Sequence, residues 1–182
     1  MGKEKRYIAL LRGINISGKN KIAMSELREG FVQLGYTEVS THLNSGNVIF
    51  SGETEDERIL SGAIEQMIKE QFALEIPVFV ISQKELEDVL NHAPNWWGTA
   101  DKEIYDNLIF LFSSLSYEEF CKEVGSPRDE YEKVCYYKNV IFWSFNRKDY
   151  QKTNWWSKTA DVKVKDRITI RTANTVRKIV EM

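Results

Sequence analysis

Twice along this chain of 182 residues the hydropathy pattern runs strand, helix, strand, strand, helix, strand, each time with one further helix behind it. Short apolar runs and helical stripes follow one another in the same order both times, and that order leaves few folds open. In the first pass, residues 7–11 are a short apolar run ending at Arg12-Gly13. Ser25 is placed to cap a helix with Leu27, Phe31 and Leu34 on its inner stripe and Gly35 as its stop. Val39, Thr41 and Leu43 alternate with polar residues, and residues 48–50 resume the strand pattern after Asn44-Ser45-Gly46-Asn47, a hairpin signal. A helix over 56–72 turns Ile59, Ala63, Ile64, Met67 and Ile68 inward, and residues 76–81, with Pro77 near the start, suit an edge strand. Ser82 and Glu85 then form a capping box for a helix carrying Leu86, Val89 and Leu90.

The second pass repeats this order. Residues 108–112 are an apolar strand, and Ser116 with Glu119 caps a helix that ends at Gly125. Residues 131–137 and 140–145 pair through Lys138-Asn139, a helical stretch covers 149–160, and a strand covers 166–170. Thr172 caps a last helix with Val176, Ile179 and Val180. The segment 91–105, with Pro94 and Gly98, reads as a linker. The expected fold is α+β: tandem ferredoxin-like (βαββαβ) units with extra helices and antiparallel sheets, over residues 1–92 and 93–182. Asn95-Trp96-Trp97 and Asn154-Trp155-Trp156 echo one another but fall at non-equivalent places in the two passes.

Charge is distributed unevenly. Residues 1–28 hold seven Lys/Arg and two Glu, giving +5; residues 147–178 hold ten Lys/Arg and three Asp, giving +7; residues 29–146 carry −13. Two basic ends around an acidic middle suggest an anion-binding face. Cys121 and Cys135 make no disulfide framework or metal spacing, and His42 and His92 stand far apart, so no metal or cofactor is expected. With no apolar run near the roughly 18 residues of a membrane span and no signal-peptide pattern, the expected location is cytoplasmic. Gly2 is a poor myristoylation site because position 6 is Arg.

The stretch from Gly13 to Lys19 imitates a nucleotide phosphate loop, with Gly13, four residues, then Gly18-Lys19. Asn20 stands where that loop needs a hydroxyl for Mg²⁺, the expected helix cap comes six residues after Lys19, and no apolar strand ends in Asp. Authentic phosphate-loop chemistry is therefore not expected. Yet residues 7–25 contain Arg12, Lys19 and Lys21 without one acidic residue. In a split β-α-β sheet the loop after the first strand and the hairpin after the second emerge at the same end. That brings Arg12, Lys19, Asn20 and Lys21 beside Asn44, Ser45, Gly46 and Asn47, a set suited to an anion.

Residues 7–15, then Gly18-Lys19-Asn20-Lys21 and Ser45-Gly46-Asn47-Val48, resemble a widespread bacterial family catalogued only as a domain of unknown function. Ser157-Lys158, Arg171 and Asn174-Thr175-Val176 resemble that family's closing motif, although the aromatic residue often found there is replaced by Ala173. The resemblance implies a two-part α/β fold and supplies no catalytic residue. It adds Ser157, Lys158, Arg171 and Asn174 to the candidate ligand-binding residues. The leading expectation is a small anionic ligand, phosphorylated compounds included, bound at loops of the first unit or in a cleft between units. A nucleic-acid binder and a protein-interaction module are the alternatives. Strands apolar on both faces leave no exposed aromatic sheet of the kind RNA-recognition modules use. An exposed Trp155-Trp156 patch would favour the third reading.

Overall fold

The computed structural model describes residues 2–53, 55–161 and 163–182. Its element order is β1 (Glu4–Leu11), α1 (Met24–Gln33), β2 (Thr37–His42), β3 (Asn47–Glu53), α2 (Glu57–Phe72), β4 (Val78–Ser82) and α3 (Gln83–Asn91), then β5 (Ile104–Leu111), α4 (Tyr117–Val124), β6 (Glu132–Tyr137), β7 (Val140–Asn146), a 3-10 segment (Arg147–Lys152), α5 (Trp155–Lys158), a 3-10 turn (Lys165–Arg167), β8 (Ile168–Thr172) and α6 (Ala173–Val180). The fold is mixed α and β, with two four-stranded antiparallel sheets ordered β2-β3-β1-β4 and β6-β7-β5-β8. Contacts divide the chain into one unit of the residues up to Glu87 with Ile179–Met182, and another of Asp88–Lys178.

Every residue of the central runs is buried: Tyr7, Ile8, Ala9, Leu10 and Leu11 in β1, and Leu108, Ile109, Phe110 and Leu111 in β5. Because side chains alternate across a strand, both faces of each central strand are covered, as their unbroken apolar pattern requires. In the first unit Tyr7, Ala9 and Leu11 pack with Phe31 of α1 and Ile64 and Ile68 of α2. In the second, Ile109 and Leu111 pack with Phe120, Trp143 and Trp155.

Local signals held unevenly. Asp56 caps α2 by accepting from the Arg58 N–H, and Ser82 and Ser116 cap α3 and α4 through the Glu85 and Glu119 N–H groups. Pro77 lies just before β4, an edge strand. Ser25, however, is not a cap. Helix α1 starts at Met24 with Ala23 in the capping position and no side-chain bond, so Ser25 already lies inside the first turn. Ile59 is 61% exposed and Leu60 takes its place in the core, a one-residue rotation of about 100° for a 3.6-residue period. The stretch 149–160 splits into the 3-10 segment and one turn of α-helix, and the strand expected at 166–170 lies at 168–172.

The Glu57 carboxyl is half-buried and accepts from the Ser82 N–H, and burial raises its pKa above the ordinary value. The folded state holds that proton more tightly than the unfolded chain. Stability from this group is therefore full at low pH and lost as pH rises through the raised pKa. Glu57→Gln, which keeps the acceptor, is expected to match the parent at pH 3 and exceed it at pH 7 in urea titrations.

Candidate functional site

The loop from Arg12 to Ile22 is built by its own amides. The Asn15 N–H donates to the Asn20 carbonyl (3.1 Å), and the Lys19 N–H to the Ile16 carbonyl (2.9 Å). Ser17 and Gly18, at φ 51° and 74°, lie between them. Two consecutive left-handed residues closed by a bond between the flanking pair are the signature of a mirror-image type I turn. The Gly-Lys spacing thus marks the tip of a small hairpin, where Gly18 supplies a positive φ, and not the start of a helix.

Side chains then tie that hairpin down. The Asn15 Nδ2 donates to the carbonyls of Ile22 (2.9 Å) and Asn44 (2.8 Å), while its Oδ1 accepts from the Ile22 N–H (2.9 Å). The Asn20 Nδ2 donates to the Gly13 carbonyl (2.9 Å). Asn15 and Asn20 are themselves left-handed, at φ 54° and 50°, so four of the six residues 15–20 sit in conformations that cost energy for any residue but glycine. On the hairpin side, the buried Asn47 amide donates to the His42 carbonyl (2.8 Å) and the Ser45 hydroxyl (3.0 Å). The Leu11 N–H meets the Gly46 carbonyl at 2.9 Å. The two loops are side by side, as the strand directions require.

Between them and α1 lies an open groove of about 570 Å³, walled by Asn15, Gly18, Lys21, the first turn of α1 and Asn44. Lys21 supplies its cation and Glu26 its carboxylate. Lys19 and Asn20 are exposed in the same loop, Arg12 is half-buried, and none of these three lines the groove. Asn20 gives its amide N–H to the Gly13 carbonyl and Asn47 gives its own to the His42 carbonyl and the Ser45 hydroxyl, so both brace the loops. The closing-motif residues are dispersed. Ser157 and Lys158 are exposed on α5, and Arg171 is buried in β8 with its Nη1 donating to Thr169 Oγ1 (2.8 Å) and the Ile170 carbonyl (2.9 Å). Asn174, on α6, lines a separate cavity of the second unit.

Trp155 is fully buried and its Nε1 donates to the Gly125 carbonyl, whereas Trp156 is 43% exposed amid Tyr105, Phe145 and Tyr150. The pair therefore makes no joint exposed patch. Among the described residues no cluster of three or more His, Cys, Asp or Glu is placed to hold a metal ion. No helix among them is long and apolar enough to cross a membrane. The Tyr117 phenol is pushed up to about 12 by burial and by the adjacent Cys121 thiol. A phenol that holds its proton so firmly is no general base near neutral pH.

Sequence reasoning passed over two polar side chains of the groove. Asn15 belongs to the N-terminal motif, but a pinning amide and a ligand-facing amide have the same one-letter signature. Glu26 reads as ordinary first-turn helix chemistry, and only the folded loop brings Lys21 to the same groove.

The profile of a family described as "Protein of unknown function (DUF1697)" matches residues 5–142. A solved structure of the conserved bacterial protein SP0830 from Streptococcus pneumoniae superposes with a TM-score of 0.85 at 29% sequence identity, covering 98% of each chain. No curated protein gives a significant match.

Proposed function

This chain belongs to the DUF1697 family of proteins of unknown function, and from that premise we propose that it binds a small anionic ligand, a phosphorylated compound in the first instance, at the Lys21 groove of its first unit. The observation that carries this reading is the over-determined loop. Left-handed residues at Asn15, Ser17, Gly18 and Asn20 are held by at least six hydrogen bonds to form one wall of an open groove. Backbone kept in costly conformations by its surroundings is a common mark of ligand sites. The first turn of α1 adds N–H groups and the positive end of a ten-residue helix. Both units are read as ferredoxin-like, a reading supported by the shared βαββαβ order and by sheets that place the first strand beside the third and fourth. The buried faces of both central strands favour this ligand class over nucleic acid, since RNA-recognition modules stack bases on exposed aromatics of such strands.

The groove's two charges test the reading with opposite signs. Pyrophosphate titrated into the ¹⁵N-labelled protein is expected to shift the Gly18 and Lys21 amides. Lys21→Ala should weaken binding by about 1 kcal/mol, roughly fivefold, and Glu26→Gln should tighten it by a similar factor. Equal affinity in all three proteins, or no shift at Gly18 and Lys21, would sink the proposal. A shift produced only by oligonucleotides and falling steeply with salt would transfer the function to nucleic-acid binding.

A further inference from the structure

The second unit has a cavity of its own, about 490 Å³, at the end of its sheet away from the β5-α4 loop. Its volume lies within the range of roughly 300–1,000 Å³ usual for small-molecule sites. Two arginines line it, and each is held against a ring. Arg147 lies over Tyr105 with its guanidinium carbon 4.5 Å from the ring centre, and Arg177 lies over Trp97 at 5.6 Å. The Arg147 Nε donates to the Lys102 carbonyl (3.0 Å), which fixes the direction of its fork. Neither guanidinium has an acidic partner among the described residues. Gly98 makes room for the second: a Cβ there would collide with the Arg177 Nη2 and lie 2.8 Å from its Cζ.

The same cavity reaches Asp106, a carboxylate only 8% exposed. The Ser144 hydroxyl donates to its Oδ1, and a carboxylate has about four acceptor positions, so it can accept more. Asp101 also lines the cavity, but its Oδ1 already accepts from the Glu103 N–H (3.0 Å). Paired guanidinium forks match the oxygens of a carboxylate or phosphate, and stacking on aromatic rings holds them in place without neutralising them. A buried carboxylate beside them matches a hydroxyl or ammonium on the same molecule. Asn174, the closing-motif residue at the start of α6, also lines the cavity.

We infer that this cavity is a second binding site, for a small organic oxyanion that carries a hydroxyl or ammonium group: Arg147 and Arg177 take the oxyanion and Asp106 takes the donor. The site is independent of the Lys21 groove. Its reporter is the Trp97 indole N–H, which donates to the Asn107 carbonyl at 2.7 Å beside the Arg177 guanidinium. Two probes separate the two head groups: glycerol 3-phosphate brings phosphate with hydroxyls, and L-serine brings carboxylate with ammonium. At least one is expected to give a saturable shift of the Trp97 indole signal in ¹H–¹⁵N spectra, with glycerol giving none. Arg177→Gln and Arg147→Gln, both exposed positions, should each weaken that binding about tenfold or more. The inference is overturned if neither probe moves the indole signal at roughly 10 mM, well above the millimolar affinities of weak sites, or if both variants titrate like the parent. Shifts confined to Gly18 and Lys21 would also overturn it while leaving the first-unit site standing.

Discussion

Glu132→Ala is expected to destabilise the second unit by about 3 kcal/mol or more, because loss of one buried acceptor strands several neutral N–H donors at about 1–3 kcal/mol each. The Glu132 side chain is almost wholly buried, and its two oxygens serve four donors. Oε1 accepts from the Trp143 indole (3.0 Å) and the Trp155 N–H (3.3 Å), and Oε2 from the N–H groups of Arg128 (2.9 Å) and Asn154. These come from the turn before β6, from β7, and from the start of α5, so one carboxylate joins three segments. The Asn154 amide extends the junction by donating to the Val124 and Ser126 carbonyls at the end of α4. Removing the carboxylate strands several buried donors, each costing about 1–3 kcal/mol before water enters.

All five tryptophans lie between positions 96 and 156, so indole fluorescence in a urea titration reports this unit alone. A loss of 3 kcal/mol corresponds to a fall in Tm of about 12 °C or more for a unit of this size. Trp143→Phe, which removes one donor and leaves the acceptor in place, should cost nearer 1 kcal/mol at that bond. An Ala variant within about 1 kcal/mol of the parent, the ordinary range of single substitutions, would show that the network does not hold the unit together.

Gly46→Ala is expected to cost the first unit about 3 kcal/mol, combining left-handed strain of about 1–2 kcal/mol with overpacking. Gly46 has φ 85°, and a Cβ there would stand 2.7 Å from Leu11 Cβ and 2.9 Å from Ile14 Cδ1, both on buried residues. Leu11 is the last residue of β1 and Ile14 lies inside the candidate loop, so the added methyl pushes on the wall of the groove. Pyrophosphate binding at Lys21 should be lost with it. Gly13→Ala is the matched control: φ is 72°, but nothing lies within 4 Å of the added Cβ, leaving strain alone at about 1–2 kcal/mol. The first unit has no tryptophan, so circular dichroism and amide exchange are the measurements. Equal losses in the two variants would mean that the close approach to Leu11 and Ile14 carries no energy.

The glycines also show how far the site was legible. Gly46 in a Ser-Gly-Asn turn and Gly18 in Ser-Gly-Lys are readable as turn residues, because a positive φ is a local requirement. That Gly46 also abuts Leu11 is a long-range fact with no local trace. Asn15, Asn20 and Asn47 were legible as a polar cluster at one end of the sheet, but which of them hold loop carbonyls depends on where those carbonyls fall. Arg171 carries a cation in sequence and is a buried, hydrogen-bonded strand residue in the fold. At that position basic charge in the sequence does not mark a basic surface.

By itself, the sequence determined the βαββαβ order in each half, both buried central strands, the hairpin at residues 44–47 and the meeting of that hairpin with the loop after β1. Each follows from periodicity, turn chemistry or strand direction, which act over a few residues or are fixed by topology. Only the tertiary structure decided that the Gly-Lys imitation of a phosphate loop is a hairpin tip, that Glu26 shares the groove with Lys21, that Glu132 joins three segments, and that Arg147 and Arg177 line one cavity. Those are matters of where side chains far apart in the chain come to rest, and packing sets that distance while composition and spacing do not.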